Sequence, residues 1–158
     1  MTSRPDGLDL VVDDGVAIGK LAKQLAREVA RMVRAAALTD GLAAYEVALR
    51  LTDDATIHEL NRTYREKDKP TDVLAFAQRE GPGGALHPEL LGDVVISVDT
   101  ARAQAKRGLH AELLHLASHG LCHLLGYDHR DDEEERVMNL RAAALRREAR
   151  RSGRVRGA

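Results

Sequence analysis

Hydrophobic positions change rhythm several times along the chain, and each rhythm predicts an element. Leu8 to Val12 is a short apolar run that predicts a first strand, closed by a turn at Asp13, Asp14 and Gly15. From Val16 to Leu38 the spacing becomes helical, with Ile18, Leu21, Leu25, Val29, Met32 and Val33 recurring on one side. Lys20, Lys23, Arg27, Arg31 and Arg34 fall on the opposite face, so this helix is amphipathic and basic. Alternation returns at Tyr45, Val47, Leu49 and Leu51 and predicts a half-buried strand over Ala44–Leu51. Thr52 to Asp54 then offers capping side chains for a helix from about Asp54 to Tyr64.

Two further strand-length runs, Val73–Ala77 and Val94–Val98, flank a Gly-Pro-Gly-Gly segment at 81–84 that must be a loop. Ala111–Leu125 is apolar with histidines at fixed intervals, which predicts a buried helix ending at Gly126. In the last helix, acidic Asp131 to Glu135 suit the positive N-terminal end and the arginines beyond Leu140 the C-terminal end. With no repeat and no linker, the pattern predicts one α+β domain over 1–158: about four strands in a mixed sheet with helices packed on it.

Composition narrows the function classes. A chain of 158 residues suits a single core, and 44% hydrophobic with 31% charged residues argues against wholesale disorder. Aromatics are only 3%, so the core must be aliphatic, and a binding surface paved with stacking rings is excluded. The single cysteine, Cys122, cannot form an intramolecular disulfide. No apolar run approaches the ~20 residues of a membrane span, and acidic residues stand where a signal peptide would be apolar. These signals predict a cytoplasmic protein.

Four of the seven histidines, His115, His119, His123 and His129, lie within fifteen residues. His119 and His123 are four apart on one helix, so their imidazoles share a face within reach of one metal ion. His115 and His123 stand about 12 Å apart along the axis, too far to close on an ion that His119 also binds. Gly126 can adopt a left-handed conformation that turns the chain back, so the third ligand is expected to be His129. Three imidazoles leave a position for water, the pattern of a catalytic zinc site with one Zn2+ per chain, and such a water has a pKa near about 7. The spacing is that of a zinc-protease histidine helix, H-E-x-x-H-x-x-G-x-x-H, but Gly120 stands where those proteases carry the Glu that activates the water. Peptide hydrolysis is therefore disfavoured.

The segment Leu113–His129, LLHLASHGLCHLLGYDH, resembles the signature of the YbeY-type bacterial rRNA maturation factors, zinc-dependent endoribonucleases. Leu60–Phe76, LNRTYREKDKPTDVLAF, and Leu91–Ser97, LGDVVIS, are similar to that family's other blocks, in the same order. The resemblance implies His119, His123 and His129 as zinc ligands, in agreement with the geometric choice. It also implies Arg65 as a catalytic arginine, whose guanidinium would grip phosphate oxygens and stabilise developing charge. Without the resemblance, Arg65 reads as a solvated charge in the mixed run from Arg62 to Lys69. The implied activity is a single-strand-specific endoribonuclease acting in small-subunit 3′-end maturation and ribosome quality control. Its partners would be ribosomal RNA and small-subunit components, with no DNA and no membrane. The alternatives are a non-catalytic ribosome-assembly factor with a structural metal and, further off, a metalloprotease.

The chain departs from the family pattern in three places. Glu66 replaces a common Gly, Ala75 a common Ser, and Cys122, expected as core filling, an aliphatic residue. Asp128 is expected to orient a ligand histidine, and His115 to be a partly buried helix residue.

The net charge of −1 hides segregated terms. Lys20–Arg34 carries +4, Arg102–Arg107 +3 and Arg141–Ala158 +6, opposed by −5 over Asp128–Glu135 and −4 over Asp6–Asp14. The Arg-rich end, about 146–158, is expected either to bind RNA or to be a disordered, solvated helix end.

Overall fold

A computed structural model of the chain describes residues 7–78 and 86–158. The 81–84 loop lies outside the described residues. Nine elements follow in order: β1 (Leu8–Val12), α1 (Leu21–Thr39), β2 (Glu46–Thr52), α2 (Asp54–Arg65), β3 (Val73–Ala77), β4 (Leu90–Ser97), α3 (Val98–Gln104), α4 (Leu109–Leu124) and α5 (Asp132–Arg150). The sheet is mixed, as the pattern predicts, with strand order β1-β2-β4-β3. β1 pairs parallel with β2 and β2 with β4, which obliges helices to carry the crossovers, while β3 joins β4 antiparallel and forms an edge.

The period-two alternation sorts the two faces. Val47, Leu49, Leu51, Val94 and Ile96 join the main core with Leu25, Val29, Met32, Leu113, Leu121 and Leu145, so α1, α4 and α5 share one face. On the other face Leu74, Val95 and Phe76 pack against Ile57 and Leu60 of α2. Among the described residues no helix is long and apolar enough to cross a membrane.

Three expectations need correction. Helix α1 begins at Leu21 rather than Val16, because Gly19 adopts a positive φ of 53° and breaks the turn that the apolar spacing would extend. The run read as a strand over Val94–Val98 is the second half of β4, and Ser97 ends it by capping α3, its hydroxyl accepting from the Thr100 N–H at 3.2 Å.

The Arg-rich end is not a frayed helix. Residues 151–158 fold back onto α1, where the Ala158 N–H reaches the Ala35 carbonyl at 3.1 Å and Val155 packs on the core. The cause is Glu148, only 7% exposed. Its carboxylate accepts from Arg151 at 2.8 Å, from the Arg156 N–H at 2.7 Å and from Arg31 at 3.4 Å. A buried carboxylate left without partners would cost several kcal/mol, so the chain is drawn around it.

Candidate metal centre

Helix α4 sets the site by its closeness to the sheet. A Cβ on Gly120 would stand 2.6 Å from Val94 Cγ1, closer than real Cβ contacts come, and 3.1 Å from Cγ2. A residue without a side chain therefore fits best where α4 crosses β4, and any Cβ there would push Val94 aside. His119 and His123 flank that crossing on the helix face that looks toward β3. The helix ends as the sequence predicts: Gly126 takes φ 101°, and the Tyr127 N–H bonds back to the Cys122 carbonyl at 3.1 Å. Asp128 Oδ1 then accepts the backbone N–H of His129 at 2.8 Å, which tightens the returning loop. Asp128 thus shapes the backbone of His129 rather than bonding its ring.

These turns bring together the three histidines singled out from the sequence. His119 Nε2 and His123 Nε2 stand 3.1 Å apart, and one ligand atom from each of His119, His123 and His129 lies within 4.8 Å of the others. Two nitrogens bound to one tetrahedral zinc stand about 3.3 Å apart, so the first pair is already at ligating separation. Burial pushes the His119 imidazole down to about 4, helped by the neighbouring His123 and His129. Burial also lowers His123. Both therefore stay neutral with a lone pair free, the form that binds metal. The donor set, three convergent imidazoles, fits a nitrogen-preferring divalent ion.

The other histidines are not brought to this site. His115 is exposed, against the expectation of partial burial. His58 pairs with Asp68 at 2.7 Å, His87 with Glu89 at 3.4 Å and His110 with Glu28 at 2.5 Å. Cys122 is fully buried, its thiol pushed up to about 11 by burial and turned toward the Met138 carbonyl, so it fills core as expected.

Arg65 closes α2 and lines the same hollow of about 500 Å³ as the three histidines. Its Nη2 donates to the Ala75 carbonyl on β3 at 2.6 Å, and its guanidinium lies 4.8 Å from the Phe76 ring, which meets Tyr64 edge-on. The residue is therefore steadied from two sides rather than waving in solvent. Glu66 follows with φ 58°, a left-handed conformation that glycine adopts freely and glutamate at a cost. That turn, with the buried Asn61 amide donating to the Lys69 carbonyl at 2.9 Å, folds Lys67 and Lys69 into the lining of the hollow. The sequence reading missed both lysines. The charge run from Arg62 to Lys69 gave no hint of which members face inward, because that depends on the left-handed turn.

Opposite the histidines, then, stand one arginine and two lysines on the α2–β3 connection, and the wall between is the edge strand β3. Such a cleft can hold a cation on imidazoles and an anion on the facing positive groups. Comparison with known proteins agrees with this chemistry. The family model described as endoribonuclease YbeY matches residues 14–149. The chain is similar to the endoribonuclease YbeY of Bacillus subtilis, 40% identical over 141 residues that cover 83% of this chain and 90% of that one. It is also similar to that of a Picosynechococcus species, 44% identical over 139 residues, 84% of this chain and 83% of the other. A Thermotoga maritima protein solved in solution shares the fold with a TM-score of 0.59 at 22% identity, over 90% of this chain and 88% of that one.

Proposed function

The chain belongs to the endoribonuclease YbeY family, and from that premise we propose that it is a zinc-dependent endoribonuclease that cuts single-stranded RNA with His119, His123 and His129 as metal ligands. The observation that carries the reading is the single cleft in which three convergent imidazoles share a lining with Arg65, Lys67 and Lys69. A zinc ion held there would supply a Lewis acid and acidify a coordinated water toward neutral pH. The protein's own groups do the rest. Arg65, tethered to Ala75, presents its remaining N–H donors to the phosphodiester and stabilises the charge that grows on its oxygens. Lys67 and Lys69 hold the flanking phosphates as point charges. Burial disfavours the protonated form of both His119 and His123 and so keeps these ligand positions open. Gly120 offers no carboxylate in the slot where zinc proteases carry one, and peptide cleavage is not proposed.

The proposed substrate is ribosomal RNA, at the 3′ end of the small-subunit species and in defective particles, and the proposed place of action is the cytoplasm. The test is cleavage of a small-subunit precursor fragment by zinc-loaded protein beside His123→Ala and Arg65→Ala prepared in parallel. Cleavage by the parent alone is expected; equal cleavage by all three would assign the activity to a contaminant. A folded His123→Ala protein that still binds the fragment without cutting it is expected, and a parent that binds but never cuts would favour the assembly-factor reading.

A further inference from the structure

A hollow of about 940 Å³, larger than the one at the histidines, lies elsewhere on the molecule. It lies along β1, the opposite edge of the sheet from β3, between α1 and the folded-back residues after α5. Three strand spacings, about 14 Å, separate the two edges before the helices are counted. Its walls carry Arg27, Arg31 and Arg34 from one face of α1 and Arg150 and Arg151 from the chain end.

These five arginines are not equivalent. Arg31 and Arg151 are paired with the buried Glu148 and build the wall. Arg27, Arg34 and Arg150 are exposed and have no ion pair or hydrogen bond among the described residues. The acid in the lining, Glu28, is itself held by His110 at 2.5 Å. Positive charge in a concavity with low-dielectric walls is focused outward, and here it persists although the chain as a whole carries −1. Arg27 to Arg34 spans about 10 Å of helix, enough for its two ends to meet different phosphates of one strand. Planar guanidiniums suit phosphate oxygens, and among the described residues no Phe, Tyr or Trp lines the hollow to stack a base, its one ring, His110, being held by Glu28.

We propose that this groove is a second RNA-binding surface, which grips the phosphate backbone of the substrate remote from the bond being cut, through Arg27, Arg34 and Arg150. It rests on the reading that RNA is the substrate and adds how a structured RNA is anchored while another stretch reaches the histidines.

The experiment uses the full chain with Arg27→Glu, Arg34→Glu and Arg150→Glu combined. Binding of a long single-stranded RNA to metal-free protein is followed by fluorescence anisotropy across a salt series, and cleavage of a tetranucleotide by zinc-loaded protein is measured beside it. The charge-reversed protein should bind the long RNA roughly tenfold more weakly, with the slope of log affinity against log salt reduced by about 2, at ~0.7 per lost phosphate contact. Its turnover of the tetranucleotide, too short to reach both hollows, should stay within twofold of the parent. An unchanged slope and affinity would overturn the proposal. Unchanged RNA binding in the variant together with binding of polyglutamate to the parent but not to the variant would likewise overturn it and assign the groove to an acidic protein. Should the reversed protein fail to fold, the Arg→Gln set at the same exposed positions is read by the same criteria. If the parent cuts no RNA yet shows the arginine-dependent slope, the groove stands and the nuclease reading falls.

Discussion

Replacing Glu148 by Gln tests whether one buried carboxylate holds the chain end in place. The arginines around Glu148, Arg151 foremost, hold its carboxyl down to about 2 against an ordinary 4.5. That difference corresponds to at most about 3 kcal/mol of folding free energy. The sign is fixed by the direction of the shift. Because the folded protein resists protonation of this group, the stabilisation is complete above 4.5 and is lost as pH falls toward about 2. Glu148→Gln keeps the shape and hydrogen-bonding capacity but not the charge, so it should lose about 2–3 kcal/mol at neutral pH. For a domain of this size that lowers Tm by about 4–12 °C. Thermal unfolding followed by circular dichroism from neutral to acid pH should show the gap between parent and variant closing as Glu148 itself protonates. Hydrogen exchange of the Arg156 and Ala158 amides should speed up in the variant at neutral pH, since both bonds depend on the folded-back end. Equal melting at neutral pH, or a gap that stays constant into acid, would refute the electrostatic account.

Three further outcomes are expected. Gly120→Ala gains about 1 kcal/mol of helix propensity but overpacks against the β-branched Val94 by about 1–3 kcal/mol, so the urea midpoint should fall and a second substitution, Val94→Ala, should restore part of it; a rise would mean the helix has room to spare. Glu66→Gly removes a left-handed glutamate and should raise stability by up to about 1 kcal/mol, whereas a drop in the urea midpoint would show that Glu66 makes a contact worth more than its strain. In metal-free protein the His119 ring should titrate near about 4 by NMR, and stability should decline as pH falls from 6.5 toward that value, because the folded state resists protonating it; an ordinary midpoint would refute the burial argument.

Much of the site was legible because its determinants are local. His119 and His123 are one helical turn apart, and a single glycine, Gly126, decides whether the chain returns to deliver His129; both are features of one short segment. The mixed sheet was legible from alternating runs, and β3 from a run bounded by turn residues. What escaped the sequence depends on tertiary partners or on a single dihedral angle. Helix α3 has seven residues, too few for a periodic signal, and announces itself only through the Ser97 cap. Lys67 and Lys69 enter the cleft because Glu66 turns left-handed, which no propensity of glutamate suggests. The order of the chain end rests on Arg31 meeting Glu148 across 117 positions, a pairing that composition recorded only as a cluster of arginines.

The close crossing of α4 over β4 also bears on descent. A three-histidine helix of this spacing differs from a zinc protease's by the residue at position 120, which suggests that one codon separates the two chemistries. The contact with Val94 denies that shortcut. A glutamate there would need a second change, a smaller residue at Val94 or a wider spacing of helix and sheet, before its side chain could be accommodated. The glycine lets the helix sit at this depth, so exchanging it changes the packing of helix on sheet as well as the chemistry of the site.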